Sequence, residues 1–219
     1  MYHGMKCESC NTTVDFSDTD LSKTGWIIID NFSIISPIYA AKLVDALGTA
    51  DGEKIFDKII EVDYDDCGSP KFSDKDNNLF KKHPYIHKGL IWLKENMMEV
   101  LEYYEKRKPT KAKLFKELKD DIGLIFTSSI PVYSSVLRTE LPGVKGNKLF
   151  KLKINTVFQS IIRIVNFINK YPLSEIDTNK RNTINMQLAD IQGYMLDMFD
   201  ETYKELTGKK GIVLGKVMG

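Results

Sequence analysis

Phe150-Lys-Leu-Lys-Ile-Asn-Thr-Val-Phe-Gln-Ser-Ile-Ile-Arg-Ile-Val-Asn-Phe-Ile-Asn169 decides the fold, together with the turn at Tyr171-Pro172 and the run from Thr178 to Leu206. In the first run Ile154, Val157, Phe158, Ile161, Ile162, Val165 and Ile168 recur at i, i+3, i+4 and i+7, the period of one helical face. In the second, Ile184, Leu188, Ile191, Met195, Met198 and Thr202 alternate spacings of four and three, as in a coiled-coil seam. Pro172 breaks the first helix, and Asp177 or Thr178 caps the second. Two helices joined so tightly run antiparallel, which predicts a hairpin about 30 Å long. A plain pair of core helices in a bundle produces the same pattern.

Lysine-bearing segments flank the pair. Upstream, Pro142 to Lys153 carries Lys145, Lys148, Lys151 and Lys153 and no acid. Downstream, Lys209, Lys210 and Lys216 lie among glycines. Glycine lets a backbone approach a phosphate closely, and lysine neutralises it. Neither segment is a P-loop, since no Gly-Lys-Ser/Thr follows a strand. Thr207-Gly208 is also an ordinary helix stop. The net charge of +1 hides an asymmetry: residues 1–80 carry 7 lysines against 15 acids, net −8, and residues 81–219 carry 24 cations against 15 acids, net +9. A basic C-terminal part fits a nucleic-acid surface, and equally a solvated lysine-rich one.

Further upstream, Trp26-Ile-Ile-Ile29 reads as a short buried strand. Pro37 opens a helix through Ala40, Leu43, Val44 and Leu47 that Gly48 stops. Residues 61–78 are acidic and turn-rich, which reads as a loop or insertion. Asp63, Asp65 and Asp66 are hard-cation ligand types but lack the glycine and terminal glutamate of a calcium loop. His83 and His87 precede a helix whose inner face is Leu90, Leu93, Met97, Leu101 and Tyr104, ended at Lys108-Pro109. No nucleophile or acid is placed with the two histidines, which favours a structural role over an enzyme built on them and the Asp63–Asp66 cluster. Leu114, Phe115 and Leu118 mark a short helix, and residues 123–132 read as an extended buried segment.

Cys7-Glu-Ser-Cys10 holds two thiols that can grip one Zn2+ from a tight turn. A structural site needs four ligands. His3 is near enough to be a third, whereas Cys67, His83 and His87 lack ligand-like spacing. A fortuitous pair or a redox pair are the other readings, although no strand pattern precedes Cys7 as a thioredoxin-type site requires.

At 219 residues, 42% hydrophobic and 28% charged, the chain has globular composition and room for one domain or two small ones. No apolar run approaches the roughly 18–20 residues of a membrane span, and the N-terminus lacks a signal-peptide core. Three cysteines make no secreted disulfide framework. The expectation is a soluble cytoplasmic protein without membrane partners.

The order of these parts resembles the N-terminal clamp region of the largest subunit of multisubunit DNA-directed RNA polymerases (β′ in bacteria). Gly4-Met-Lys-Cys7-Glu-Ser-Cys10 is similar to the second half of that family's clamp zinc ribbon. Lys23-Thr-Gly25-Trp-Ile27 with Ser36-Pro37-Ile resembles the strand after the ribbon. Ser129-Ile-Pro-Val-Tyr-Ser-Ser-Val-Leu-Arg138 resembles an Ile-Pro-Val…Leu-Arg segment of the family. The lysines of 142–153 sit where the family has its lid, the helix pair where it has the clamp helices, and Lys209 to Gly219 where it enters the switch region. Each motif is short; their shared order along nearly the whole chain carries the likeness.

The resemblance implies a mostly α, α+β clamp module: a partial zinc ribbon over 1–25, a clamp body over 26–141, and a lid-like loop, antiparallel clamp-helix hairpin and switch start over 142–219. It implies Zn2+ at Cys7 and Cys10. It implies nucleic-acid contacts by Lys145, Lys148, Lys151, Lys153, Lys209, Lys210 and Lys216. It also implies a docking face for a sigma-type or phage initiation factor at Arg163, Asn166, Asn169, Lys180, Arg181 and Gln187. Partners would be the other polymerase subunits, DNA and RNA. Mg2+ would belong to the complete nucleotidyltransferase, since the family's Asn-Ala-Asp-Phe-Asp-Gly-Asp motif is absent from this sequence.

Departures are plain. The ribbon's first cysteine pair is missing, the Ile27–Pro37 spacing is longer than the family's, the prolines after Ile-Pro-Val and Leu-Arg138 are absent, and Val213 stands where an arginine is expected. Such drift fits a divergent polymerase of a large bacteriophage, with this chain as an N-terminal piece. The competing expectation is a stand-alone helical interaction module with a vestigial zinc knuckle.

Overall fold

The computed structural model describes Lys6, residues 25–64, Ser69, residues 71–132, 141–142, 149–150, 153–172 and 176–207. Among these residues the chain is mostly helical with short antiparallel strands. In chain order come β1 (Gly25–Ile28), β2 (Ile34–Ile35), α1 (Pro37–Leu47), β3 (Thr49–Ala50), β4 (Glu53–Lys54), α2 (Ile55–Ile60), α3 (Asp74–Phe80) and α4 (Gly89–Arg107). A 3-10 turn at Pro109–Lys111 leads to α5 (Ala112–Asp120), α6 (Ile122–Ile125), β5 (Phe126–Thr127), β6 (Ser129–Val132), β7 (Leu141–Pro142), β8 (Leu149–Phe150), α7 (Lys153–Ile168) and α8 (Thr178–Thr207). None of the described helices is long and apolar enough to cross a membrane.

The strands make a ribbon that closes one end of the core. β1 pairs antiparallel with β6 from Gly25↔Val132 to Ile28↔Ser129, and β2 pairs with β5 at Ile34↔Thr127 and Ile35↔Phe126. Ile29 N donates to Ser128 O at 2.8 Å and Ser36 N to Ile125 O at 2.8 Å, which joins the two ladders. Ser128 alone therefore faces residues 29–33, and residues 30–33 are pushed out as a loop. Asn31 sits there in the left-handed region, φ 65°, which an asparagine tolerates better than most residues. This loop occupies the Ile27–Pro37 interval noted above as long.

Three sequence expectations change here. Residues 61–78 are not loop throughout, since the Ser73–Asp76 capping box opens α3 at Asp74. The run Trp26–Ile29 is not buried throughout: Ile27 and Ile29 face the core, while Trp26 and Ile28 are exposed, because alternate strand residues point to opposite faces. Residues 123–132 are not extended throughout, since Ile122–Ile125 forms one helical turn before the strands begin.

Sequence signals account for the helix ends. Pro37 opens α1, whose inner residues are Ala40, Leu43, Ala46 and Leu47. Its C-terminus receives two cations from the 108–111 turn: Lys108 Nζ donates to Leu47 O, and Lys111 Nζ to Asp45 O and, at 2.7 Å, to Asp45 Oδ1. Cations there complement the helix dipole. Asp51-Gly52 turns β3 into β4 with both residues at positive φ. α4 buries Leu90, Leu93, Met97, Val100, Leu101 and Tyr104 and bends at Asn96, φ −120°, whose Nδ2 donates to Trp92 O at 2.9 Å.

The helix pair forms close to its expected boundaries, except that Phe150 belongs to β8 and α7 begins three residues later, at Lys153. Ile154, Val157, Phe158, Ile161, Val165 and Ile168 of α7 are buried, as are Ile184, Leu188, Ile191, Met195 and Met198 of α8. Ile162 is exposed instead, one helical step past the stripe. Asp177 is the cap of α8: its Oδ1 accepts from Lys180 N at 2.8 Å. Each buried aliphatic side chain contributes about 1.5–3 kcal/mol, and α7 and α8 share one apolar core with the body. α8 also packs on α4, α1 and β2. Two buried amides fix that docking: Gln192 Oε1 accepts from Ile35 N at 2.7 Å, and Asn185 Oδ1 accepts from Ile91 N, at the start of α4, at 3.1 Å.

Candidate functional site

The helix pair places its expected docking residues unevenly. Arg163 and Asn166 lie exposed on α7, beside the exposed Phe167, and Gln187 is half-buried on α8. Asn169 is committed internally: its Oδ1 accepts from Asp30 N at 2.9 Å and its Nδ2 donates to Ile28 O at 3.0 Å. The open edge of β1 and the turn after it present those backbone groups, and the amide satisfies one of each kind. Arg181 is also committed, with Nη2 at 3.0 Å and 3.2 Å from the two oxygens of Glu95 on α4. Lys180 lies 5.8 Å from the centroid of the Tyr171 ring. The turn end of the pair is thereby fastened to the body, while Arg163, Asn166 and Phe167 of α7 stay exposed.

Lys145, Lys148, Lys151, Lys209, Lys210 and Lys216, with Cys7 and Cys10, lie outside the described residues; of Lys153 only the backbone, at the first position of α7, is described. Among the described residues no group of three or more His, Cys, Asp or Glu stands close enough to hold a metal.

The two histidines go to separate structural duties. His83 Nδ1 lies 3.1 Å from Tyr104 Oη, and its ring stacks on that of Tyr104. His87 is buried at φ 56°, with Nδ1 3.1 Å from Glu61 O and Nε2 3.4 Å from Asp76 Oδ1. Asp76 is also buried. It completes a capping box at α3: Asp76 N donates to Ser73 Oγ at 3.2 Å, and Asp76 Oδ2 accepts from Ser73 N at 3.1 Å. Lys58 Nζ reaches Asp76 at 3.4 Å and Glu53 and Glu61 at 3.0 Å each. Burial pushes the Asp76 carboxyl up, but bonds from Ser73, then His87 and Lys58, outweigh it and hold the group well below the usual carboxylate range. Burial likewise lowers Lys58, and its bonds to Glu61 and Glu53 more than reverse this.

This network ties α2, α3 and the turn before α4 together. His87 N donates to Lys58 O at 2.7 Å and Lys88 N to Ile59 O at 3.2 Å, which completes the attachment. Asp63 is exposed and outside it. Of the enzyme reading on His83 or His87 with the Asp63–Asp66 cluster, Asp65 and Asp66 lie outside the described residues, and the two histidines are held in the contacts above. Sequence reading missed the network because Lys58, Asp76 and His87 share no local pattern; the one local signal was Ser73-x-x-Asp76, a capping-box spacing.

Two clefts flank the pushed-out loop. One, of about 450 Å³, is lined by Asn31, Phe32, Ser33, Leu90, Lys94, Glu95, Arg181 and Leu188; the other, of about 530 Å³, lies between that loop, Lys94, Met97 and the 122–128 segment. Among the described residues, Ser33 Oγ, buried beside both, has no hydrogen-bond partner, and neither has Gln192 Nε2. The lining of both clefts mixes apolar and polar side chains, and the first includes the Arg181–Glu95 ion pair. No protein-family model matches this sequence, and no curated protein matches it.

Proposed function

We propose that this chain is an N-terminal clamp piece of a divergent multisubunit DNA-directed RNA polymerase largest subunit, working mechanically within a larger intracellular assembly. One observation carries the reading. The two segments that resemble the family on either side of the body, Gly25–Ile28 and Ser129–Val132, pair as antiparallel strands across roughly a hundred residues of chain, in the register Gly25↔Val132. A ribbon of that kind, followed by an antiparallel helix pair, supports the resemblance at the level of tertiary order rather than motif alone. In this role the lysines of 142–153 and 209–216 contact nucleic-acid backbone, Cys7 and Cys10 contribute to a zinc site, and α7 with Arg163 and Asn166 meets an initiation factor. Catalysis and its Mg2+ would reside in another part of the polymerase.

The test is assembly. The 219-residue chain, mixed with the remaining subunits of its polymerase at low salt, is expected to co-elute with them on size exclusion. Failure to associate favours a stand-alone helical interaction module. One observation already leans that way: Asn169 and Arg181 spend their side chains on the body, as in an ordinary pair of core helices.

A further inference from the structure

We propose that the outer edge of α4, with the turn before it, is a binding surface for single-stranded nucleic acid, on which bases stack and phosphates meet free cations. Trp92, Tyr103 and Arg107 lie eleven and four positions apart on α4 and so share one edge, spanning about 22 Å at 1.5 Å per residue. Tyr85 fills the interval. Its ring stacks on Trp92 with centroids 5.5 Å apart and meets Tyr103 edge-on at 5.0 Å. The Arg107 guanidinium lies 3.8 Å above the Tyr103 ring, and Lys88 Nζ is 5.7 Å from that of Trp92. Trp92, Tyr85 and Tyr103 are half-buried, so each ring is anchored and keeps some surface in solvent.

The charge around them is mixed, since α4 carries Glu95, Glu99, Glu102 and Glu105 beside Lys94, Lys106 and Arg107, and the cations nearest the rings are Lys88 and Arg107. Among the described residues Lys82, Lys88 and Arg107 make no ion pair. The one carboxylate touching the cluster, Glu99, accepts from Tyr85 Oη at 2.8 Å. His83, beneath the cluster, is held below its ordinary pKa first by burial and then by Lys108, Arg107 and Lys82, with Asp51 opposing. An anchored aromatic surface with a flat guanidinium and free cations suits unstacked bases joined by phosphates, because bases stack on aromatic and arginine planes while lysines meet the backbone. An acidic peptide would use the cations and leave the rings idle, and a duplex hides its base faces. The proposal uses none of the lysines assigned under the polymerase reading, so the two stand or fall independently.

The test uses the full chain with Trp26→Phe, which leaves Trp92 as the only tryptophan. Oligo(dT)12 and oligo(rU)12 are titrated against its fluorescence. Saturable quenching by either strand, weakening as salt rises, supports the surface. Arg107→Ala, at an exposed position, should weaken binding by about 5-fold or more with an unchanged circular-dichroism spectrum, since losing one stacked base contact costs about 5- to 150-fold. Lys116→Ser on α5 should change nothing. Absence of quenching by both strands, equal competition by polyglutamate or by a 12-base-pair duplex, or an unaltered affinity in Arg107→Ala would each overturn it.

Discussion

Replacing Asp76 with asparagine is expected to uncouple α3 from α2 and from the turn before α4. The carboxylate accepts from Ser73 N at 3.1 Å and from Ser73 Oγ at 2.5 Å, and stands 3.4 Å from both Lys58 Nζ and His87 Nε2. Charge-assisted hydrogen bonds contribute about 1.5–3 kcal/mol each, and removing one member of a buried ion pair costs about 3–5 kcal/mol. Asparagine keeps the shape and one acceptor, and Lys58 keeps Glu53 and Glu61. The net loss should therefore be about 2–4 kcal/mol, a fall in Tm of roughly 5–12 °C for a chain of this size.

The pH dependence gives the sharper signature. The folded carboxyl lies below its unfolded value of about 3.9. Its stabilisation is complete above that value and is lost as pH falls toward the folded one. Urea unfolding at pH 7, 5, 4 and 3 should therefore show a gap between wild type and Asp76→Asn that is constant down to about pH 5 and narrows below 4. A gap under about 1 kcal/mol at pH 7, or one of equal size at pH 3 and pH 7, would refute this account of the network.

Further outcomes follow from other contacts. Gly89 has φ 79°, and a Cβ there would lie 2.8 Å from Asn185 Cγ; Gly89→Ala should cost about 2–4 kcal/mol, and an Asn185→Ala background should return at least about 0.5 kcal/mol in a double-mutant cycle by denaturation. Gln192→Leu leaves the buried Ile35 N–H without an acceptor and should lower stability by about 1–3 kcal/mol in the same assay. By NMR, His83 should titrate below 6.5, since burial and its neighbouring cations disfavour the imidazolium; Arg107→Ala should move the midpoint upward. Leu188→Ala, at a fully buried seam position, should cost about 2–5 kcal/mol, whereas Arg163→Ala should leave stability within about 0.5 kcal/mol.

Local patterning determined α1, α4, α5 and the helix pair, but not α2, α3 or α6. The period of Ile154 to Ile168 and the alternating seam of Ile184 to Met198 require one buried stripe on each helix, and Pro37, Pro109 and Asp177 mark ends through chemistry carried by the residue itself. Tertiary structure decided what those stripes bury against. Nothing in the spacing says that Gln192 reaches Ile35, that Asn185 holds the start of α4, or that Asn169 closes the edge of β1, because each bond joins residues ninety or more positions apart. The two halves of the ribbon were legible as apolar runs, but their pairing, and the loop at 30–33 that one opposing residue forces outward, belong to register. The aromatic edge of α4 lies between: its spacing is written in the sequence, whereas Tyr85 and Lys88 come beside it only once the turn before α4 folds back against the helix.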